Sequence, residues 1–380
     1  MEREFPVNGT EDEQLEFLVR YAVMAPSVRQ SQPWNFSVRD GTDPLGPAVA
    51  SFARGPGRII VIASGNAGDP ILGTHQTASV GSGERVRVEF HASRGFPSPR
   101  AQIIVSPHAG ADIRIGCDAP SGPFVTPVER GRTRSATIDN AIANVIFDPK
   151  DFQGRLPAAS SSALVVLEGG LATGKDDHYS IVLEGSGTAD MWILGGSFVH
   201  GVREQTVGSP ANHPELIAVG ASVSRTGYTT MSGEQLALRS QEYDRGGLIP
   251  LIGVGAPPQP GQIAAFSGAG PGPMGVIKPD LVAPGVSILS AATSSREPDR
   301  SLLLGTSHCP PRAADAKLSE DDHCLFVDDQ HAAATGTSFA APFVTGAAAI
   351  LLQADPTLTQ EEMRTALQAG VHPHRSIPRF

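Results

Sequence analysis

The sequence has few cysteines, no apolar run long enough to span a bilayer and no recognisable export signal. It has three cysteines, no Cys-X-X-Cys pair and no Cys/His group at metal-ligand spacing. Neither a disulfide framework nor a bound metal is therefore expected, and Cys117 is expected to be a small packed hydrophobe. The longest apolar stretch, Ala340 to Ala354, is too short to span a bilayer. The N-terminus begins Met-Glu-Arg-Glu and has no apolar signal core, so a cytoplasmic location is the default expectation.

Charge is also scarce, and its balance is acidic. Charged residues make up 18% of the chain and the formal net charge is −10, so we expect neither nucleic acid nor a membrane as a partner. Apolar residues make up 40%, which is enough to fill a core and too much for wholesale disorder. The 42 glycines and 32 prolines predict many turns and loops.

The first 39 residues differ in character from the rest of the chain. Apolar residues at helical spacing predict a helix from Glu11 to Met24, followed by a loop. Leu18-Val-Arg-Tyr-Ala-Val-Met-Ala-Pro-Ser27 and Gln32-Pro-Trp-Asn-Phe36 resemble the start of the FMN-dependent nitroreductase-like family, in which this segment helps to hold the flavin phosphate. The rest of that fold has no counterpart here, so no flavin cofactor is expected. The alternative is an ordinary amphipathic helix with a loop.

From Asp40 onward the pattern is that of an α/β core. Pro47 to Arg54 predicts a helix, and the β-branched run Arg58 to Ala63 predicts a buried parallel strand. The strand ends in the tight loop Ser64 to Gly68, at the edge where open α/β sheets keep their ligands. A second apolar strand is predicted at Leu216 to Gly220.

Between about Ser82 and Gly196 the hydrophobic period changes to two. Arg85 to His91 alternates strictly between polar and apolar residues. Short strands separated by Gly, Pro, Ser and Asp indicate an all-β sandwich, so we interpret residues 82–196 as an inserted β domain. The other strand-like runs are Ala101 to Val105, Ala111 to Gly116, Ala163 to Glu168, Tyr179 to Glu184 and Ala189 to Leu194.

A serine stands at the start of a charge-free apolar run near the C-terminus. Gly336-Thr-Ser-Phe-Ala-Ala-Pro342 precedes Phe343 to Leu352, which predicts a buried helix with Ser338 at its N-terminus. Free amides and positive potential at a helix N-terminus suit the oxyanion that forms when a nucleophile attacks a carbonyl. Thr359 to Glu362 forms a capping box for a second helix, with Gly370 as its C′ residue.

Five segments, taken in order, resemble the subtilisin-like serine proteases. The resemblance implies that Ser338 is the catalytic nucleophile, and that Asn66 and the Ser338 backbone amide hold the oxyanion. The matching segments are Ala63 to Gly68, Thr206 to Ala211 with Leu216 to Ala221, Ala265 to Pro271, Lys278 to Gly285 and Gly336 to Gly346.

Two parts of that family's pattern are missing. The family activates its serine with a histidine and an orienting aspartate, carried by motifs that precede the asparagine loop. Neither motif is found here: Gly73-Thr-His75 follows Asn66, and Asp244-Arg-Gly246 does not end an apolar strand. The remaining histidines are expected on the surface or in loops, and they include His200, His213, His308, His323 and His331.

Together these observations predict an α/β protein with an incomplete subtilisin-like parallel-sheet core interrupted by an all-β sandwich. The core is expected in residues 40–81 and 197–380, after a nitroreductase-like fragment in 1–39. The predicted function is serine endopeptidase chemistry on a peptide or protein substrate, in a truncated chain that is inactive by itself. The alternatives are a non-catalytic scaffold that uses the β insertion and a flavin-dependent oxidoreductase. Self-association through an unpaired sheet edge is also expected.

Overall fold

The computed structural model describes ten stretches of the chain. Residues 1–39, where the nitroreductase-like segment is predicted, lie outside the described residues, as do Asp244, His308 and His323. The described residues are 45–68, 73–92, 100–147, 162–174, 176–231, 233, 235–237, 259–272, 275–291 and 326–370.

Three helices and sixteen strands are present in these residues. The helices are α1 (Leu45–Phe52), α2 (Thr337–Ala354) and α3 (Gln360–Ala369). The strands are β1 (Val61–Ala63), β2 (His75–Ala92), β3 (Arg100–Pro107), β4 (Asp112–Ala119), β5 (Gly122–Val128), β6 (Thr133–Ile138), β7 (Ala141–Ile146), β8 (Ala163–Gly169), β9 (Tyr179–Leu194), β10 (Gly196–Phe198), β11 (Ile217–Val223), β12 (Gly227–Thr229), β13 (Gln235–Ala237), β14 (Leu281–Val286), β15 (Ile288–Ala291) and β16 (His331–Ala334).

A parallel sheet of order β1-β11-β14 forms the α/β part and confirms the α/β class of the prediction. The central strand β11 is buried along its whole length, as its apolar sequence requires. The predicted strand Arg58 to Ala63 is shorter, covering Val61 to Ala63, and it is half-buried rather than buried. The reason is its place at the edge: within the described residues β1 pairs with β11 alone.

Helix α2 lies across this sheet and covers one of its faces. Its sheet-facing residues Ala340, Val344 and Ala348 are buried, whereas Phe343 and Ile350 on the opposite side are 50% and 69% exposed. The expectation of a fully buried helix is therefore wrong for one side, since no described element covers it. Among the described helices, α2 is the one whose length and composition would suffice to cross a membrane, a property that core helices share.

Helix α3 begins as predicted and ends differently. The Thr359 side chain accepts from the Glu362 amide and the Glu362 side chain accepts from the Thr359 amide, which confirms the capping box. Gly370 is the C-cap, with a right-handed φ of −88°. The predicted C′ role is wrong because the left-handed turn that C′ glycine makes does not occur there.

Residues 75–198 form a nine-stranded antiparallel sheet. Its order is β10-β2-β9-β3-β8-β7-β6, and β4 pairs with both β9 and β5. The long strand β9 pairs with β2 on one side; on the other side its first half pairs with β4 and its second half with β3. The two predicted runs at Tyr179 and Ala189 are therefore one strand. It continues through Gly185 and Gly187, which adopt φ values of +124° and +130°.

One apolar core fills the space between these strands. Phe90, Ile103, Leu167 and Ile181 belong to it and are fully buried. Cys117 is buried in the same core, where burial, with the nearby Asp118 carboxylate, raises the pKa of its thiol, so the expectation of a packed hydrophobe is confirmed. Strands β5, β6 and β7 also line this region, although the sequence did not predict them: β5 contains two prolines and β6 is largely exposed.

The two ends of this β region meet where it leaves the α/β part. A Cβ atom on Gly201 would lie 2.1 Å from the Cα of Gly73, so the two backbones touch. Strand β2 begins at His75, before the expected boundary at residue 82. The period-two pattern is interrupted there by Gly81-Ser-Gly83, where β2 shifts register against β9.

A buried ion pair links the parallel sheet to α3. The Lys278 ammonium donates to the Leu216 carbonyl and to Asp280 Oδ2, the latter at 2.7 Å, and its side chain is 1% exposed. Asp280 Oδ2 also accepts from the Ala218 amide, and Arg364 approaches Asp280 Oδ1 at 3.4 Å. Burial lowers the pKa of Lys278, and the Asp280 carboxylate opposes that shift. Because the ammonium is buried, its charge is stable there only while these partners contact it.

Replacing Asp280 by Asn should destabilise the protein by about 3 kcal/mol, because the Lys278 charge would remain buried without its counter-charge. Denaturant unfolding measures this. The control is Asp328→Asn, which removes an ion pair with His331 whose two side chains are about half exposed and should leave the unfolding midpoint unchanged. Equal shifts for the two variants would contradict the prediction.

Residues 73–201 should fold when they are expressed alone, since they contain one continuous core and their ends already meet. The expected result is β-type circular dichroism with dispersed amide resonances. A disordered spectrum would show that the α/β part is needed to fold this region.

Candidate functional site

The asparagine loop, residues 64–68, leaves the carboxyl end of β1 and is held by the neighbouring core segments. Its Ser64 carbonyl accepts from the Gly208 amide at 2.9 Å, and its Gly68 amide donates to the Phe266 carbonyl at 2.9 Å. A Cβ atom on Gly68 would lie 1.9 Å from the Ser267 carbonyl oxygen. Glycine is therefore required for the loop to pack this closely, and the loop has little freedom to move.

The carboxamide of Asn66 has a defined orientation. Its oxygen accepts from the Thr337 amide at 2.9 Å and from the Thr337 hydroxyl at 3.0 Å, while Thr337 Oγ1 accepts from the Gly65 amide at 3.1 Å. Because two donors engage the oxygen, the carboxamide cannot be flipped, and its nitrogen is left to donate. The structure thus brings Asn66 to the start of α2, beside Ser338.

Ser338 is the second residue of α2 and is half-buried. Its amide lies in the first helical turn, where backbone N–H groups have no acceptor within the helix. Gly336 caps the helix with φ 153° and ψ 161°, and a Cβ atom there would lie 3.2 Å from the Asn66 amide nitrogen. The Asn66 nitrogen therefore lies near the Gly336 backbone, two residues before Ser338.

No described side chain hydrogen-bonds the Ser338 hydroxyl, so the described residues place no general base on it. His75, the residue of the Gly73-Thr-His75 motif, is instead packed inside the β region: it stacks on Trp192 at 5.2 Å, and its Nε2 lies 3.4 Å from Asp190 Oδ1. Among the other described histidines, His200 is exposed, and His331 pairs with Asp328 on the surface.

Asp190 is a buried carboxylate shared by three side chains at the base of the β region. Thr77 donates to Oδ1, His108 Nε2 lies 2.8 Å from Oδ2, and the His75 ring contacts Oδ1. Burial acts to raise the pKa of Asp190, but His75, Thr77 and His108 together outweigh it and hold the pKa well below its usual range. No group of three or more ligating side chains in the described residues could hold a metal ion.

Thr337 is the residue that the sequence did not single out. It lies between the two expected site residues in the Gly336-Thr-Ser338 motif, but its role depends on a contact with Asn66, 271 residues away in sequence. A threonine before a serine carries no signal for such a contact. The role of Thr337 is seen once the tertiary structure brings the two motifs together.

Comparison with known sequences points to one family. The family model described as the subtilase family matches residues 172–371. Serine protease AprX of Bacillus subtilis (strain 168) is 33% identical over 108 residues, covering 28% of this chain and 20% of that protein. Subtilisin-like protease SBT1.6 of Arabidopsis thaliana is 36% identical over 118 residues, covering 30% of this chain and 12% of that protein. The chain thus spans a fifth or less of these curated relatives.

Comparison with solved structures gives a related fold. The structure of the Clostridium perfringens CspB protease superposes with a TM-score of 0.56 at 19% identity. The alignment covers 95% of this chain and 64% of that chain. At this identity the likeness concerns the fold alone.

Replacing Gly336 by Ala should destabilise the protein by about 1–3 kcal/mol, because its backbone conformation is strained for any other residue and the new methyl group would crowd Asn66. The matched control is Gly346→Ala in the middle of the same helix. A Cβ atom there meets nothing within 4 Å, so that variant should gain about 0.5–1 kcal/mol. Denaturant unfolding of both variants checks the prediction, and a change of the same sign in both would refute it.

Proposed function

Because this chain belongs to the subtilase family, we propose that it carries the nucleophile and the oxyanion donors of a serine endopeptidase site. Ser338 is the nucleophile of this proposal, and Asn66 and the Ser338 amide are its oxyanion donors. Peptide or protein chains are the substrates. The observation that carries the proposal is the Asn66 carboxamide, whose oxygen is tied to Thr337 and whose nitrogen is thereby left to donate beside Ser338.

The proposed chemistry is acyl transfer from a peptide carbonyl. The Ser338 oxygen bonds to the carbonyl carbon, and the carbonyl oxygen takes up the electron pair of its broken π bond. The Asn66 side-chain N–H and the Ser338 backbone N–H donate to that oxyanion, with added support from the positive end of α2. The C–N bond then breaks to leave an acyl-serine, which water hydrolyses.

This sequence of steps needs a base that takes the serine proton and returns it to the leaving amine. Since the described residues place no imidazole or carboxylate on Ser338, we propose that this chain by itself does not turn over peptides. A serine hydroxyl without a base stays protonated and is a weak nucleophile at neutral pH. Any residual catalysis would then come from the oxyanion donors.

We further propose that residues 75–198 form an inserted β-sandwich and that the open side of β1 is a point of association. The first proposal is supported by the strand pairing: β9 pairs with β2 on one side and with β4 and then β3 on the other, and these strands enclose one apolar core. The second is supported by the absence of a partner for β1 beyond β11 within the described residues, because an unpaired strand edge offers free N–H and C=O groups.

The test of the oxyanion proposal is hydrolysis of an activated ester, which needs less help from a base than a peptide does. Asn66→Ala should lower the residual rate about 100-fold, because one oxyanion donor is worth about 10²–10³ in rate, whereas Ser338→Ala should change it little. The control is Asn144→Ala, which removes an exposed side-chain contact with Ser135 in the β region. An Asn66→Ala variant as fast as wild type would overturn the assignment.

The same preparations should show no peptide turnover and no labelling of Ser338 by an activated phosphonate. Rapid peptide hydrolysis that Ser338→Ala abolishes would prove that a base reaches this serine, and single substitutions of the histidines would then identify it. Labelling that persists in Ser338→Ala would come from another residue, and Ser79→Ala, an exposed serine paired with Thr188, serves as its control.

A further inference from the structure

The side chain of Thr74, the residue just before β2, reaches the asparagine loop. The Thr74 hydroxyl donates to the carbonyl of Ala67 at 2.7 Å, and Ala67 is the residue that follows Asn66. We propose that Thr74 is a positioning residue: through this bond the β region sets the orientation of the Asn66 loop. The catalytic meaning of that coupling rests on the proposed function, while the coupling itself does not.

Thr74 can act as a fixed point because its own backbone is held by the β region. Its carbonyl accepts from the Ile193 amide in β9 at 2.9 Å. On either side of it, the Gly73 carbonyl accepts from the Phe198 amide at 2.8 Å and the His75 carbonyl accepts from the Val202 amide at 2.7 Å. Three consecutive carbonyls are thus bonded to residues of the β region or to the segment that follows it.

The next residue along the strand adds to this anchor. The His75 side chain is 1% exposed and lies between Trp192 and Asp190. The Trp192 indole in turn donates to the Gln205 carbonyl at 2.9 Å, in the segment that leads back to the α/β part. The place of Thr74 is therefore determined by packing on both sides of the junction, and its hydroxyl is presented to the loop from a rigid strand end.

The bond acts on the peptide between Ala67 and Gly68, whose N–H the core holds and whose carbonyl accepts from Thr74. The core holds the loop through Ser64, Gly65 and Gly68. The Ala67 carbonyl and the Gly68 N–H belong to one peptide, so Thr74 and the Phe266 carbonyl together fix its plane and with it the backbone on the carboxyl side of Asn66. Catalytic donors must be held within about 0.5 Å and 10–20° of their working geometry, so a shift of this backbone would disturb the Asn66 nitrogen that the Thr337 contacts orient.

The test measures the loop itself in the full chain, by NMR. Amide hydrogen exchange at Gly65 and Gly68 and the Asn66 side-chain amide resonances are followed in three variants. Thr74→Val has nearly the same shape but no hydroxyl, and Thr74→Ser keeps the hydroxyl. Thr77→Val makes the same substitution three residues further along the strand, where it removes a hydrogen bond to Asp190 and no contact with the loop.

In Thr74→Val the Gly65 and Gly68 amides should exchange about five- to tenfold faster, the change expected for the loss of one hydrogen bond, and the Asn66 side-chain resonances should move. Thr74→Ser should restore wild-type values, and Thr77→Val should leave the loop unchanged. Unchanged loop amides in Thr74→Val would overturn the proposal, and so would an equal effect of Thr77→Val, which would mean that any weakening of β2 loosens the loop.

The ester assay separates this proposal from the proposed function. If the loop amides respond to Thr74→Val while Asn66→Ala leaves ester hydrolysis unchanged, the coupling stands and the oxyanion assignment fails. If Asn66→Ala lowers the ester rate while Thr74→Val leaves the exchange rates of the loop amides unchanged, the oxyanion assignment stands and the positioning role fails.

Discussion

The two hydrogen bonds that Thr337 donates to the carboxamide oxygen of Asn66 are the contact on which the rest of the site depends. They join the loop after the first core strand to the start of the last long helix, across 271 residues of sequence. Without them the Asn66 carboxamide could rotate, and its nitrogen would have no fixed direction. The contact costs the helix nothing, because the Thr337 amide lies in the first turn and has no acceptor within α2.

The glycines around this contact follow from it. Gly336 must let the chain pass close to the Asn66 nitrogen, and Gly68 must let the loop pass close to the Ser267 carbonyl. The buried Lys278–Asp280 pair secures the opposite end of the same sheet, where the Ala218 amide of β11 donates to Asp280. Both ends of the short parallel sheet are thus held by polar contacts, and its middle is held by the apolar face of α2.

Ser338 and Asn66 could be proposed from the sequence because each stands in a local motif. The capping box of α3 and most strands were predictable for the same reason, since side-chain period and turn residues are local signals. The orientation of Asn66 was not predictable, because it depends on two motifs meeting in space. The prediction that α2 is buried on all sides was wrong for one side. A run without charged residues indicates a buried helix, but it does not show which sides of the helix other elements contact.

Strand β9 shows the limit of local signals in another way. Its Gly185-Ser-Gly187 segment has the composition of a turn, yet the strand continues through it. A Cβ atom on Gly185 would lie 2.0 Å from the Asp112 carbonyl oxygen of the neighbouring strand. Glycine is needed there for close approach between strands rather than for reversal. The same letters can therefore mark the end of a strand or its tightest contact.

The touching backbones of Gly73 and Gly201 have a consequence for the thermodynamics of the α/β part. An unstructured excursion of this length would impose a loop-closure entropy that grows with the logarithm of its length. Residues 73–201 are folded and bring their own two ends together, so they impose no more closure entropy on the parallel sheet than a tight turn would. Between β1 and β11, the polypeptide that counts toward the closure entropy is therefore residues 64–73 and 201–216, rather than the whole length between the two strands.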